Sequence, residues 1–204
     1  MPSALDLQNR WTNDLLETLT QSIRRSKKDG YKNKPLPPSP FGMVPESGLV
    51  DFRGFYFTSQ VVAITAEHID FSYSAADRDW PIEFHQCDIS NSLFQGMQYL
   101  GNLGGRFDKC DFSKSHGVKC RFSGEFNDCQ FENCRFPGTS FHAIFRHCSF
   151  ESANLRNASW PACIFEECSF KGSFLGLHPL ECVDPQIVTY ETSSFRIPKT
   201  LIKP

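Results

Sequence analysis

Eight of the nine cysteines in this chain are followed two residues later by Phe or Ile, from Cys87/Ile89 to Cys168/Phe170. The large residue of each pair recurs about every five positions. Where cysteine is absent, another small residue stands two before it, as with Ala153 before Leu155, Ala158 before Trp160 and Thr139 before Phe141. Thirteen of the twenty phenylalanines fall in this register between Phe84 and Phe170. A step of five fits neither a helix, with a period of about 3.6, nor a strand, with a period of about 2. Such a chain is constrained first by its internal repetition.

These five-residue steps resemble the unit of the pentapeptide-repeat family, a small residue, then Asp or Asn, then Leu or Phe, then two variable positions. Ala153-Asn154-Leu155-Arg156-Asn157 is the fullest instance, with Cys110-Asp111-Phe112-Ser113-Lys114 and Cys129-Gln130-Phe131-Glu132-Asn133 as its Cys/Phe version. In these residues the chain resembles the pentapeptide-repeat family over about residues 50–176. The resemblance implies an all-β fold, a right-handed quadrilateral parallel β-helix with one pentapeptide per side and both the small and the large residue pointing inward.

The register supports four sides independently. The central residues run Phe112, Gly117, Phe122, Phe126, then Phe131, Phe136, Phe141, Phe145, then Phe150, Leu155, Trp160, Phe165 and Phe170. A step shortened to four recurs at Phe122 to Phe126 and Phe141 to Phe145, with Leu103 to Phe107 as an earlier instance. A deletion repeated once per coil marks one corner of a four-sided coil. Phe112, Phe131, Phe150 and Phe170 are then predicted to form one column, with Cys110, Cys129, Cys148 and Cys168 beside it. Neighbours in a column should lie about 4.8 Å apart. The cysteines act as small buried hydrophobes. Their closest pairs are five apart, which does not match zinc-ligand spacing, and an odd number argues against a disulfide framework.

Four segments follow: an N-terminal amphipathic helix over 1–28, a Pro-rich linker over 29–48, the repeat coil over 49–176 and a C-terminal cap over 177–204. The helix is expected from Leu5 to Lys28, because Trp11, Leu15, Leu19 and Ile23 recur every four residues as one apolar stripe. The stripe either packs on an open coil end, which would otherwise invite edge-to-edge growth, or binds a partner. Asp29-Gly30 ends it, and the prolines from Pro35 to Pro45 make Tyr31–Ser47 an extended linker. Gln186–Tyr190 reads as a strand candidate within the tail.

No run approaches the roughly 18 apolar residues of a membrane span, so no membrane association and a cytoplasmic location are the expectation. Residues 1–50 carry seven basic and five acidic groups, residues 51–176 eleven and fifteen, and residues 177–204 three and three. That balance shows no basic face, and direct nucleic-acid binding is not expected. Nor do the histidines, His142 and His147 included, sit beside a nucleophile motif. No catalytic, metal or cofactor site is expected, and the chain reads as a non-enzyme.

Function is therefore expected on outward positions. On the fourth side the residues before the central ones are Arg106, Glu125, Ile144 and Ile164, and the two isoleucines are candidates for a partner-binding patch, with Trp11, Leu15 and Leu19 on the helix. The favoured reading is a non-catalytic protein-binding rod serving immunity, self-protection or scaffolding. The resemblance also implies a bacterial alternative, a DNA-mimicking homodimer that shields DNA gyrase or another topoisomerase from quinolones or toxins. The repeat region's net charge of -4 is small for a mimic.

Overall fold

The computed structural model describes residues 2–23, 32–160, 163–171 and 173. The expected cap over 177–204, the strand candidate at Gln186–Tyr190 and the expected end of the helix at Lys28 lie outside these residues.

The five-residue step becomes a parallel β-solenoid of about 6 turns. Side one is the column Phe52, Phe71, Phe94, Phe112, Phe131, Phe150 and Phe170, with successive ring centroids 4.7–5.7 Å apart. From Phe94 downward the rings lie within 12° of parallel, because the strand spacing imposes a stacking distance near the offset-stacked optimum. Side two holds Gly117, Phe136 and Leu155. Side three stacks Phe122 on Phe141 at 5.0 Å and Phe141 on Trp160 at 4.3 Å. Side four stacks Phe107, Phe126, Phe145 and Phe165 at 4.9–5.2 Å. Rings of adjacent columns meet edge-on, as Phe126 meets Phe131 at 5.9 Å and 65°. All of these rings are at most 3% exposed.

The short corner is real and has a geometric cause. Strands Leu100–Asp108, Arg121–Asn127 and Ser140–Arg146 run unbroken from side three to side four, with Phe122 opposite Leu103 and Phe141, and Phe126 opposite Phe107 and Phe145. Gly105 and Gly124 turn the corner at φ 133° and 106°. A Cβ on Gly124 would lie 2.0 Å from the Gly105 carbonyl oxygen, and one on Gly105 2.1 Å from that of Cys87. The other corners use left-handed residues stacked in columns, such as Asn91, Lys109, Asp128, His147 and Glu167 between sides four and one. Their amides donate to the next coil, as Lys109 to Asn127 and Asp128 to Arg146, so the φ penalty is offset by a complete ladder.

Cys110, Cys129, Cys148 and Cys168 repeat once per coil. Each Sγ lies 3.3–3.5 Å from a carbonyl of the coil above, Cys110 on Ile89, Cys129 on Phe107, Cys148 on Phe126 and Cys168 on Phe145. Burial pushes the Cys87 thiol up to about 11 and the Cys120 thiol up to about 12, so these two are neutral at physiological pH.

The N-terminal segment departs from the single helix predicted. It forms α1, Ala4–Asn9, and α2, Asn13–Ile23, broken at Arg10–Thr12. Ser3 and Asp6 close a capping box on α1, and the Thr12 hydroxyl accepts from Leu15 at 3.4 Å at the start of α2. The break lets Trp11 turn onto the end of the coil, stacked on Phe52 at 6.2 Å, edge-on to Phe55 at 5.0 Å and to Phe41 at 4.7 Å. Its indole nitrogen donates to the Arg53 carbonyl at 2.9 Å. Backbone of α1 lies so close to Gly54 that a Cβ there would meet Leu7 at 2.5 Å.

The Pro-rich stretch is extended but docked. Lys34–Pro35 adds a parallel strand to Ile64–Thr65 at the upper edge of the sheet, and the Lys34 ammonium donates to the Ser22 carbonyl at 2.8 Å. Arg10 secures the arrangement: its guanidinium donates to Asp51 at 2.8 Å and lies 4.0 Å from the Phe41 ring centroid. Among the described residues no helix is long and apolar enough to cross a membrane.

Candidate interaction faces

With the interior filled by Phe, Cys and other small residues, outward chemistry is set by the residues flanking each central position. The N-terminal candidates are spent on the coil: Trp11 and Leu19 are 5% and 7% exposed, and Leu15 is half-buried against the core. They cover the upper end rather than present an apolar stripe. This is the packing on an open coil end that the sequence offered as one alternative for the stripe, and the break between the two helices permits it.

Ile144 and Ile164 are brought together as direct cross-strand partners on side four, both half-buried. Around them runs a charge ladder. Arg106 donates to Asp108 at 2.7 Å, Arg146 to Glu166 at 2.6 Å, and Arg146 lies 3.7 Å from Glu125. At the adjoining corner His147 stands between Asp128 at 3.5 Å and Glu167 at 3.4 Å. Counting Glu67 and Asp88 above, this side and its corner carry seven carboxylates against Arg106, Lys109 and Arg146, a net of -4.

The remaining sides balance overall yet not locally, and this the sequence analysis missed. Lys119, Arg121, Arg135 and Arg156 all project from sides two and three in three successive coils, and each is exposed. The half-coils that carry them, 114–124, 133–146 and 152–160, contain no Asp or Glu at all. Net charge along the chain averages over sides that point in opposite directions, so this local strip does not show in it. Acid-free half-coils in the sequence were the available signal. Among the described residues, Lys119, Arg121 and Arg135 are in no ion pair, in contrast to Arg106 and Arg146. His116 is directly opposite Arg135; burial and that guanidinium lower its pKa.

At the upper end of the basic side, a groove of about 500 Å³ is lined by Arg78, Pro81, Tyr99, His116, Val118 and Lys119, among others. Tyr99 and Val118 are 41% and 58% exposed. The coil above carries extra residues at Asp77–Pro81, where the Trp80 amide donates to the Asp77 carbonyl at 3.2 Å. Trp80 projects from this turn 78% exposed. His142 bonds the Ser140 hydroxyl at 2.9 Å. Among the described residues no three His, Cys, Asp or Glu side chains converge on a metal position.

The family model described as pentapeptide repeats (8 copies) matches residues 143–176. No curated protein matches the chain. Among solved structures, a trypsin-treated variant of QnrB1, a plasmid-mediated fluoroquinolone resistance protein, is 19% identical and aligns over 74% of this chain and 71% of its own, with a TM-score of 0.32. Full-length QnrB1 is 16% identical over 63% of this chain and 82% of its own, with a TM-score of 0.29. Likeness at this level carries nothing about activity. The chain carries pentapeptide repeats over 143–176, and the columns they build continue upward without change through Phe131, Phe112 and Phe94.

Proposed function

We propose that this protein is a non-catalytic binding module, a rigid coil that presents a fixed outer surface to a protein partner in immunity, self-protection or scaffolding. One observation supports this most: large side chains and thiols are consumed by the core, while charge on the exterior is sorted by side, acidic on side four and basic on sides two and three. Packing the columns requires no such sorting, since outward positions are free of them. The Ile144/Ile164 pair on side four adds an apolar element that the coil itself does not need.

Protection of a topoisomerase by DNA mimicry is the second reading, favoured by the seven carboxylates of side four and its corner. Arg106 and Arg146 neutralise part of that row, which places mimicry second. The experiment is capture of partners from source-cell lysate at low and high salt, beside an Ile144→Asp/Ile164→Asp variant. A partner retained at high salt and lost in the variant supports a dedicated protein interface on side four. Recovery of gyrase at low salt alone, indifferent to the variant, supports mimicry.

A further inference from the structure

We propose that sides two and three, over the coils of His116 to Ser159, are a docking face for an acidic segment of a partner protein. This rests on the protein-binding reading and specifies which surface and which chemistry it uses. Rows of the face repeat once per coil, about 4.8 Å apart. His116 stands above Arg135 and then Asn154, and Arg121 above Ser140 and then Ser159. Lys119 and Arg156 flank these rows. The four cations therefore occupy one continuous strip, with Ser, Asn and His between them as hydrogen-bonding groups.

Three features point to an acidic protein segment. The first is charge complementarity: four cations lie within a few coil spacings and no carboxylate lies among them, so their fields add within a Debye length of about 8 Å. Arg121 and Arg135 keep their guanidinium donors available among the described residues, so a carboxylate meets them without breaking an internal pair. The second is apolar anchoring: Val118 and Tyr99 line the groove beside Lys119 and offer a seat for an aromatic or aliphatic side chain within the segment. The third is extent. The strip ends upward at Asp77 and Asp79 beside Trp80 and gives way to the acidic row of side four around the corner. A short acidic stretch fits these bounds, whereas a long polyanion would run onto repelling carboxylates.

The test uses the full-length protein and a fluorescein-labelled peptide rich in Glu and Phe, followed by anisotropy. Binding is expected at low ionic strength, weakened by salt, and reduced about tenfold or more in Arg121→Glu/Arg135→Glu. Arg106→Glu, on the opposite side, should bind as the wild type does. Equal affinity in the double variant, or no binding by the wild type, overturns the proposal. So does tighter binding of a single-stranded oligonucleotide of equal charge, which would make the face a nucleic-acid surface. Partner capture separates the two levels: a lysate partner held equally by wild type and Arg121→Glu/Arg135→Glu leaves the binding module standing and removes this face from it, whereas no captured partner removes both.

Discussion

Replacing Phe131 by Ala removes a ring from the middle of side one. Phe131 is 0% exposed, stacked on Phe112 at 5.1 Å and on Phe150 at 4.8 Å. It also meets Phe122, Phe126 and Phe145 at 5.8–5.9 Å. Truncating a buried Phe costs about 3 to 5 kcal/mol, depending on how far the site collapses. Here the coils above and below are held at strand spacing by their ladder, so collapse is small and the cost falls near 5 kcal/mol. With a urea m-value of about 2.5 kcal/mol/M, the unfolding midpoint drops by about 2 M. That consumes much of a domain stability of about 5 to 15 kcal/mol, and the variant is expected to express partly insoluble. Phe131→Leu, which keeps most of the volume, should recover more than half of the loss, and Arg135→Ala, exposed one side further on, should shift the midpoint by less than about 0.5 kcal/mol equivalent. Circular dichroism in a urea series reads all three. A Phe131→Ala midpoint no lower than that of Arg135→Ala would refute the column.

Gly124→Ala should cost about 2 kcal/mol or more, because its φ of 106° and the Gly105 carbonyl both reject a Cβ; Gly138→Ala, with nothing nearer than Lys119 Cγ at 3.5 Å, should cost less in the same denaturation assay. Asp51 is raised by burial, but hydrogen bonds from Arg10 and Arg53 more than reverse this and hold it well below its ordinary 3.8. A depressed folded pKa stabilises fully above the unfolded value and loses that stabilisation as pH falls below it. Trp11 fluorescence should therefore report release of the N-terminal cap on acidification, and Asp51→Asn should release it at neutral pH at a cost of about 2 kcal/mol. In a Cys182→Ser variant, the eight remaining thiols, all buried, should resist a thiol reagent at neutral pH and react on denaturation; rapid native reaction of Cys129 or Cys148 would contradict the inward column.

What could be read in the sequence was whatever the repeat forces inward. The Phe112 and Cys110 columns, and the four-residue step at Phe122 and Phe141, are visible because each coil must place one large and one small residue per side. Upstream the pattern blurs for a physical reason: the coil between Phe71 and Phe94 carries the Asp77–Pro81 turn and a register shift between Phe84 and Cys87, so its steps are no longer five. The helix break at Arg10–Thr12 was hidden because Trp11 fits the apolar stripe and the coil end equally well; only the rings of Phe52 and Phe55 decide between them. The basic strip escaped because adding charges along the chain mixes residues that face opposite ways. Knowing the coil geometry turns the same letters into sides, and Lys119, Arg121, Arg135 and Arg156 then separate from Asp108, Glu125 and Glu166.

On the proposed reading, function resides on the outer sides of the coil. The most direct measurement is partner capture from source-cell lysate by wild type, Ile144→Asp/Ile164→Asp and Arg121→Glu/Arg135→Glu proteins of matched thermal stability. A partner should be held by the wild type and lost when at least one outer side is altered while the fold is intact. Capture that survives both alterations, at low and high salt alike, would contradict it.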